Sequence, residues 1–207
     1  MITTLYPPFR KWTETGTLWI YSDPHFSDLE MKELRENYIG DDEQIARINS
    51  KVGKKDTIIF LGDIGNEEMV RKIRGYKVLI MGNHDKGVTK YSDIFDEVYE
   101  GPLFIAEKLV LSHEPIDLTF AYNIHGHDHS DTHYWDMCMN VCAEHINYTP
   151  VNVNRLLKNG LLSKVVSIHR QTIDRATEKK IRREGREKQR ELLRECFVKA
   201  KEAMRDD

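Results

Sequence analysis

Cysteine is scarce in this chain, and nowhere is it apolar for long. The three cysteines among 207 residues, Cys138, Cys142 and Cys196, are odd in number and stand in no C-x-x-C spacing. That argues against a disulfide framework and against a thiolate metal site. They read as reduced thiols of a cytoplasmic protein, with Cys138 and Cys142 buried in a strand. No apolar run approaches the roughly 18–20 residues that a membrane span needs, so no membrane partner is expected. Met1–Arg10 lacks the basic start and apolar core of a secretory leader. Internal repeats and low-complexity tracts are missing as well, which sets aside solenoids and linker arrays.

Charge is plentiful but unevenly placed. The net charge of −3 divides at Arg170: from there onward 13 Lys/Arg stand against 9 Asp/Glu, leaving 18 against 25 before it. An acidic domain over residues 1–169 and a mildly basic, helix-favouring tail over 170–207 are expected. In the tail, Glu178→Arg182, Glu184→Lys188 and Glu195→Lys199 are spaced as i,i+4 pairs. Leu192, Leu193, Cys196, Phe197, Ala200 and Met204 form a stripe that calls for a partner surface. The domain core is the first choice for that partner, a homodimer through the tail the second, and nucleic acid the third.

Five apolar, β-branched runs each end in polar residues that can bind a hard metal ion. Leu18–Tyr21 leads to Asp23 and His25, Thr57–Leu61 to Gly62-Asp63, and Val78–Met81 to Gly82-Asn83-His84-Asp85. Leu109–Leu111 leads to His113, and Tyr122–Ile124 to His127 and His129. Such runs read as strands of a buried sheet that deliver side chains to one edge, where open α/β sheets place their sites. Asp23 and His25 point the same way if the chain stays extended through Pro24. A short helix is expected within Asp28–Tyr38. A clearer one follows, capped by Asp41 or Asp42, with Ile45, Ile48 and Val52 on its inner face. Asn66–Arg74 reads as a crossover helix stopped by Gly75, giving a β-α-β-α-β order with parallel strands. From Phe95 onward the pattern changes to short strands: Glu97–Tyr99, Leu103–Ala106, Leu109–Ser112, Phe120–Ile124 and Met137–Ala143. A helix over Asn152–Lys158 follows.

Asp23, His25, Asp63, Asn83, His113, His127 and His129 supply oxygen and nitrogen and no sulfur. That set suits Mn, Fe, Zn, Co or Ni. Seven ligands are too many for one tetrahedral zinc and enough for two ions sharing a carboxylate. His125 reads as a packing or orienting residue, Asp128 as solvent-facing, and His133, His145 and His169 as structural or exposed.

In this order, Asp-x-His, Gly-Asp, Gly-Asn-His-Asp, a His before Glu-Pro, and Gly-His-x-His resemble the calcineurin-like metallophosphoesterase superfamily. The resemblance is closest to its small single-domain bacterial and phage-type members and covers Leu18 to Val153. It implies a two-sheet β-sandwich flanked by helices, here with a C-terminal helical extension. It also implies two divalent ions, with manganese the first choice. Asp23, His25 and His129 would hold one ion, Asn83, His113 and His127 the other, and Asp63 would bridge them. His84 would be the general acid or a phosphate-stabilising histidine, oriented by Asp85. The implied reaction is hydrolysis of a phosphate ester by a hydroxide between the ions, with His84 assisting the leaving oxygen. A phosphodiester is favoured over a monoester, because the connections around Asn66–Gly75 and Lys86–Phe95 are short, and a nucleotide-derived ester is one candidate. A nuclease aided by the basic tail and a non-catalytic metal-binding scaffold are the rival readings.

Overall fold

The structure, a computed structural model of the chain, describes residues 1–130, 132, 134–166 and 168–203. His133, the side chains of His169, Lys199 and Ala200, and Met204 lie outside the described residues, and with them the Glu195→Lys199 pair and part of the tail stripe. Nine strands form in chain order: β1 (Leu18–Tyr21), β2 (Thr57–Phe60), β3 (Tyr76–Ile80), β4 (Glu97–Tyr99), β5 (Leu103–Ala106), β6 (Leu109–Leu111), β7 (Tyr122–His125), β8 (Cys138–Asn140) and β9 (Val151–Asn152). The helices are α1 (Leu29–Leu34), α2 (Asp41–Lys51), α3 (Val88–Tyr91), α4 (Val153–Lys158) and α5 (Ile168–Ala203). By internal contacts the chain forms two units, Met1–Val165 and Val166–Asp207.

The first unit is a sandwich of two mixed sheets. One has the order β4-β3-β2-β1-β9 and the other β5-β6-β7-β8. β1 to β4 run parallel, as the crossover pattern requires, and β9 closes that sheet antiparallel to β1. In the second sheet β6, β7 and β8 are parallel and β5 pairs antiparallel with β6.

Side-chain alternation in β2 explains the layering. Ile59 and Leu61 face the second sheet, in one core with Ile20, Val78, Leu111 and Ile124. Ile58 and Phe60 face the other way, in a second core with Ile45, Ile48 and Val52 of the α2 region and with Val70 and Ile73. Each such side chain, fully buried, contributes roughly 1.5–3 kcal/mol. The two-layer core therefore fixes where the strand ends lie.

Three local expectations are corrected. The crossover over Asn66–Arg74 is a 3₁₀ helix, Glu67–Lys72, whose cap is Asn66 accepting the Glu68 N–H at 3.2 Å. Helix α2 is capped by Gly40, and Asp41 and Asp42 sit in its first turn, where their charge favours the helix N-terminus. The strand expected over Met137–Ala143 is confined to β8.

In the second unit, α5 is supported by i,i+4 ion pairs that include Glu178–Arg182 at 3.8 Å and Arg183–Glu187 at 3.0 Å. Glu184 pairs back to Lys180 at 3.8 Å, where Lys188 was expected. Leu192, Leu193, Cys196 and Phe197 are exposed. Among the described residues no helix is long and apolar enough to cross a membrane.

Candidate metal centre

The carboxyl ends of β1 and β2 remain paired after the strands stop. The N–H groups of Asp23, His25 and Phe26 donate to the carbonyls of Gly62, Asp63 and Ile64 at 3.1, 3.1 and 2.9 Å. This ladder is not the extended chain expected through Pro24. Asp23 and His25 have φ of 53° and 46°, and Asp63 and His127 have 50° and 67°. Left-handed backbone is uncommon outside glycine, although Asp, Asn and His tolerate it best. Four of the seven expected ligands adopt it, and strain of this kind collects at functional sites. Its effect is visible: Asp23 Oδ1 and His25 Nε2 lie 3.9 Å apart on the same side of the loop. Buried Gln44 of α2 holds the turn from below, donating to the Pro24 carbonyl at 3.2 Å and accepting from the Tyr21 hydroxyl at 2.9 Å.

Glycine is required where the loops touch. A Cβ on Gly126 would fall 1.9 Å from Ser22 Oγ and 2.2 Å from Asp23 Oδ2. Gly62, at φ +94°, leaves no room for one either, with Gly82 N at 2.5 Å and His113 Nδ1 at 2.6 Å.

The expected ligands converge in overlapping groups. Asp23, His25 and Asp63 bring ligand atoms within 4.8 Å of one another, and so do Asp63, His113 and His127. Asp63 belongs to both. His129 joins Asp23 from the far side, with Nε2 3.6 Å from Asp23 Oδ1. Asn83 Oδ1 lies 2.8 Å from His113 Nε2 and 3.2 Å from His127 Nδ1.

Hydrogen bonding behind these groups shows that they suit a cation. His113 Nδ1 donates to the Leu61 carbonyl at 2.7 Å, so in the neutral ring Nε2 carries the lone pair. That lone pair meets the Asn83 oxygen and, 3.0 Å away, His127 Nδ1. Among the described residues, buried Asp23 Oδ1 and His25 Nε2 have no hydrogen-bond partner. Buried acceptors left facing one another are costly. A divalent ion relieves that cost, and the residues present fit one. Burial is the main cause that lowers the pKa of His25, against the pull of Asp23. It keeps the imidazole neutral, as a ligand must be.

Four supporting residues carried no sequence signal specific enough to name them. Glu144 accepts from His129 Nδ1 and lies 3.2 Å from Arg35 Nε. Arg35, buried, also donates from Nη2 to the Asp23 carbonyl at 2.7 Å. Burial alone would lower the pKa of His129, but the Glu144 carboxylate raises it above the ordinary value. Asp28 caps α1 and meets His25 Nδ1 at 3.2 Å. Both rings are thus oriented with Nε2 towards the cluster, the carboxylate–histidine arrangement that metal sites use. Cys142 donates its thiol to Asp23 Oδ2 at 3.3 Å. Burial, aided by Asp23, pushes its pKa far up, so it remains a thiol.

Loss of such support is expected to weaken metal binding without unmaking the site. Glu144→Gln should reduce manganese affinity roughly 10–100-fold. Titration calorimetry of the variant checks this; an unchanged affinity would show that His129 needs no anchor.

His84 and Asp85 sit differently from one another. The His84 ring is exposed, its centroid 6.0 Å from that of His25, while its backbone N–H donates to Asp63 Oδ1 at 3.0 Å. Asp85 was expected to orient that ring. Its carboxylate instead accepts from the N–H groups of Gly82, Asp63 and Ile64 at 2.8, 3.0 and 3.1 Å and from the Tyr91 hydroxyl at 2.9 Å. Four donors occupy its lone pairs, and Asp85 ties the loop after β3 to the loop after β2. Asp128 is half-buried rather than solvent-facing, and its Oδ1 accepts from the Ser130 N–H at 2.8 Å. His125 is buried away from the cluster, with Nδ1 on the Gly126 carbonyl at 2.9 Å.

A two-sheet sandwich with histidine and aspartate side chains gathered at its parallel strand ends defines a metal-binding phosphoesterase-like architecture. The family model for calcineurin-like phosphoesterases matches residues 16–204, and the chain belongs to that family. A protein of unknown function from Aquifex aeolicus has a similar solved structure, with TM-score 0.59 and 24% identity over 69% of this chain and 98% of that one. A nuclease, MPE, from Pseudomonas putida matches at TM-score 0.39 and 23% identity, over 53% of this chain and 60% of its own. No curated protein matches the sequence.

Proposed function

We propose that the chain is a binuclear metal-dependent phosphoesterase, acting on phosphodiesters in preference to monoesters. The observation that carries the reading is Asp63, whose Oδ2 stands 3.7 Å from His25 Nε2 and 3.5 Å from His113 Nε2. A carboxylate so placed serves two neighbouring sites at once. Asp23, His25 and His129 would hold one ion, and Asn83, His113 and His127 the other. Two divalent ions, when bound, supply Lewis-acid polarisation of water and neutralise charge on a transferring phosphoryl group. The donor set, oxygen and imidazole, favours manganese, with iron, zinc, cobalt and nickel as the other candidates.

The chain's own residues do the rest. The ring of His84 stands at the open side of the cluster, where it can give a proton to the departing ester oxygen. Asp85 fixes the loop that bears it. Preference for a diester is supported by a cleft beside His113, which leaves room for a second ester substituent.

His84→Ala is expected to lower turnover of a chromogenic phosphodiester by about 10²-fold or more. Metal content should not change, because the backbone N–H that donates to Asp63 survives the substitution. Turnover and metal analysis on the same preparation separate the two effects. Unchanged turnover would remove His84 from the chemistry. A protein that binds two ions and turns over neither diester nor monoester would be a scaffold. Nuclease action by way of the basic tail predicts that a chain lacking 170–207 loses cleavage of DNA or RNA.

A further inference from the structure

The cleft beside the metal cluster has a charge sign of its own. It encloses about 340 Å³ and shares Asn83 and His113 with the cluster. It opens where the two sheets meet, between the ends of β3, β4 and β6. Met81, Pro102 and Ile116 give it apolar walls, and its charged lining residues are Glu100 and Glu114, with no lysine or arginine. Both carboxylates are exposed, so neither is engaged in holding the core.

The wall bearing Glu114 is built rather than loose. Ser112 Oγ donates to the Glu114 carbonyl at 2.6 Å, and the Ile116 N–H donates to Oδ1 of buried Asn123 at 2.8 Å. Asn123 Nδ2 in turn donates to Ser112 Oγ at 2.8 Å. These bonds fix the backbone at Glu114, a lining residue of the cleft. Glu100 faces the same space from the end of β4.

We infer that this cleft selects phosphate esters whose small organic substituent carries a positive charge, of the phospho-amino-alcohol class. The inference rests on the phosphoesterase reading. With the phosphoryl group at the metal cluster, the next group of the substrate enters the cleft. A second phosphate there, as in a polynucleotide, would meet two carboxylates and no cation. An ammonium group would be attracted by both, and the volume suits a short chain rather than an extended polymer.

The test uses the full chain with Mn²⁺ and three 4-nitrophenyl phosphodiesters, whose second substituent is choline, ethyl or a phosphorylated glycerol. They share one chromogenic leaving group, so only the cleft occupant varies. The expected order of kcat/KM is cationic over neutral over anionic, with about tenfold between the first two. In the double variant Glu100→Gln, Glu114→Gln that ratio should fall towards one, and added salt should shrink it in the wild type. A wild-type ratio near one, or a preference that survives the double variant, overturns the inference and leaves the phosphoesterase reading standing.

If none of the three esters is turned over, the phosphoesterase reading fails first. The cleft is then judged by calorimetry, where phosphocholine should still bind more tightly than inorganic phosphate; equal binding overturns it. A soluble ester and a phospholipid headgroup offer the same ammonium. Turnover of glycerophosphoethanolamine but not of phosphatidylethanolamine vesicles assigns the free ester, and turnover of both assigns the headgroup. Either result supports the charge rule.

Discussion

Asp63→Asn is expected to abolish phosphodiester turnover for practical purposes, by about three orders of magnitude or more, roughly 4 kcal/mol of transition-state stabilisation. Asn keeps the shape but not the charge, and presents one oxygen where two are needed. Oδ1 already accepts the His84 N–H at 3.0 Å, and Oδ2 faces His25 and His113. An amide nitrogen in the Oδ2 place would point a positive end at a cation, and one in the Oδ1 place would face the His84 N–H donor to donor. Metal analysis should therefore fall from two ions per chain to one or fewer. The stability of the metal-free protein should move the other way. Asp23 and Asp63 place ligand oxygens within 4.8 Å of each other in a buried group. Removing one of two like charges relieves repulsion in the metal-free fold. A metal-free melting temperature that holds or rises, beside lost turnover and a lost metal-induced shift, is the expected signature. Wild-type turnover with two ions retained would refute the shared-carboxylate reading.

Arg35→Ala is expected to cost about 3 kcal/mol of folding stability, because it takes a buried guanidinium away from the half-buried Glu144 carboxylate, which is left with His129 alone. Two interactions go together: the ion pair to Glu144 at 3.2 Å and the bond to the Asp23 carbonyl at 2.7 Å. The second holds the left-handed turn that aims Asp23 at the cluster, so manganese affinity should drop as well. Urea denaturation of metal-free protein measures the first effect and calorimetry the second. Combined with Glu144→Gln, the loss in stability should be smaller than the sum of the single losses, as partners in one network require. Additive losses would show that the pair does not act as a unit.

Much of the centre was legible because the sequence marks it twice. Each apolar run announces a buried strand, and a ligand-type residue stands just past its end. That pairing of signals pointed to all seven expected ligands, although they come from the strand ends of two sheets and not from one sheet edge. Arg35, Glu144 and Asp28 carried one signal each, and an ambiguous one. A lone arginine in a charged segment and a glutamate two residues after a cysteine look like ordinary surface residues. Only the fold brings Arg35 and Glu144 together across a long stretch of chain. The left-handed turns at Asp23 and His25 were hidden for another reason: Pro24 between them suggests extension, and no glycine flags a positive φ. Asp85 was misread because proximity in sequence to His84 suggested a pair. Its carboxylate is held instead by backbone donors that exist only once the loops after β2 and β3 lie side by side.

The same scatter of ligands has a consequence for how the protein comes into being. Asp23 and His129 meet only after both sheets have closed, so an unfinished chain has no centre to fill. An ion that recognises the assembled site alone acts as a thermodynamic lock on the native state. At a free concentration of 100 times its dissociation constant it adds about 2.7 kcal/mol. That is a sizeable share of the 5–15 kcal/mol by which such domains usually stay folded. Metal supply would thereby govern how long each copy survives.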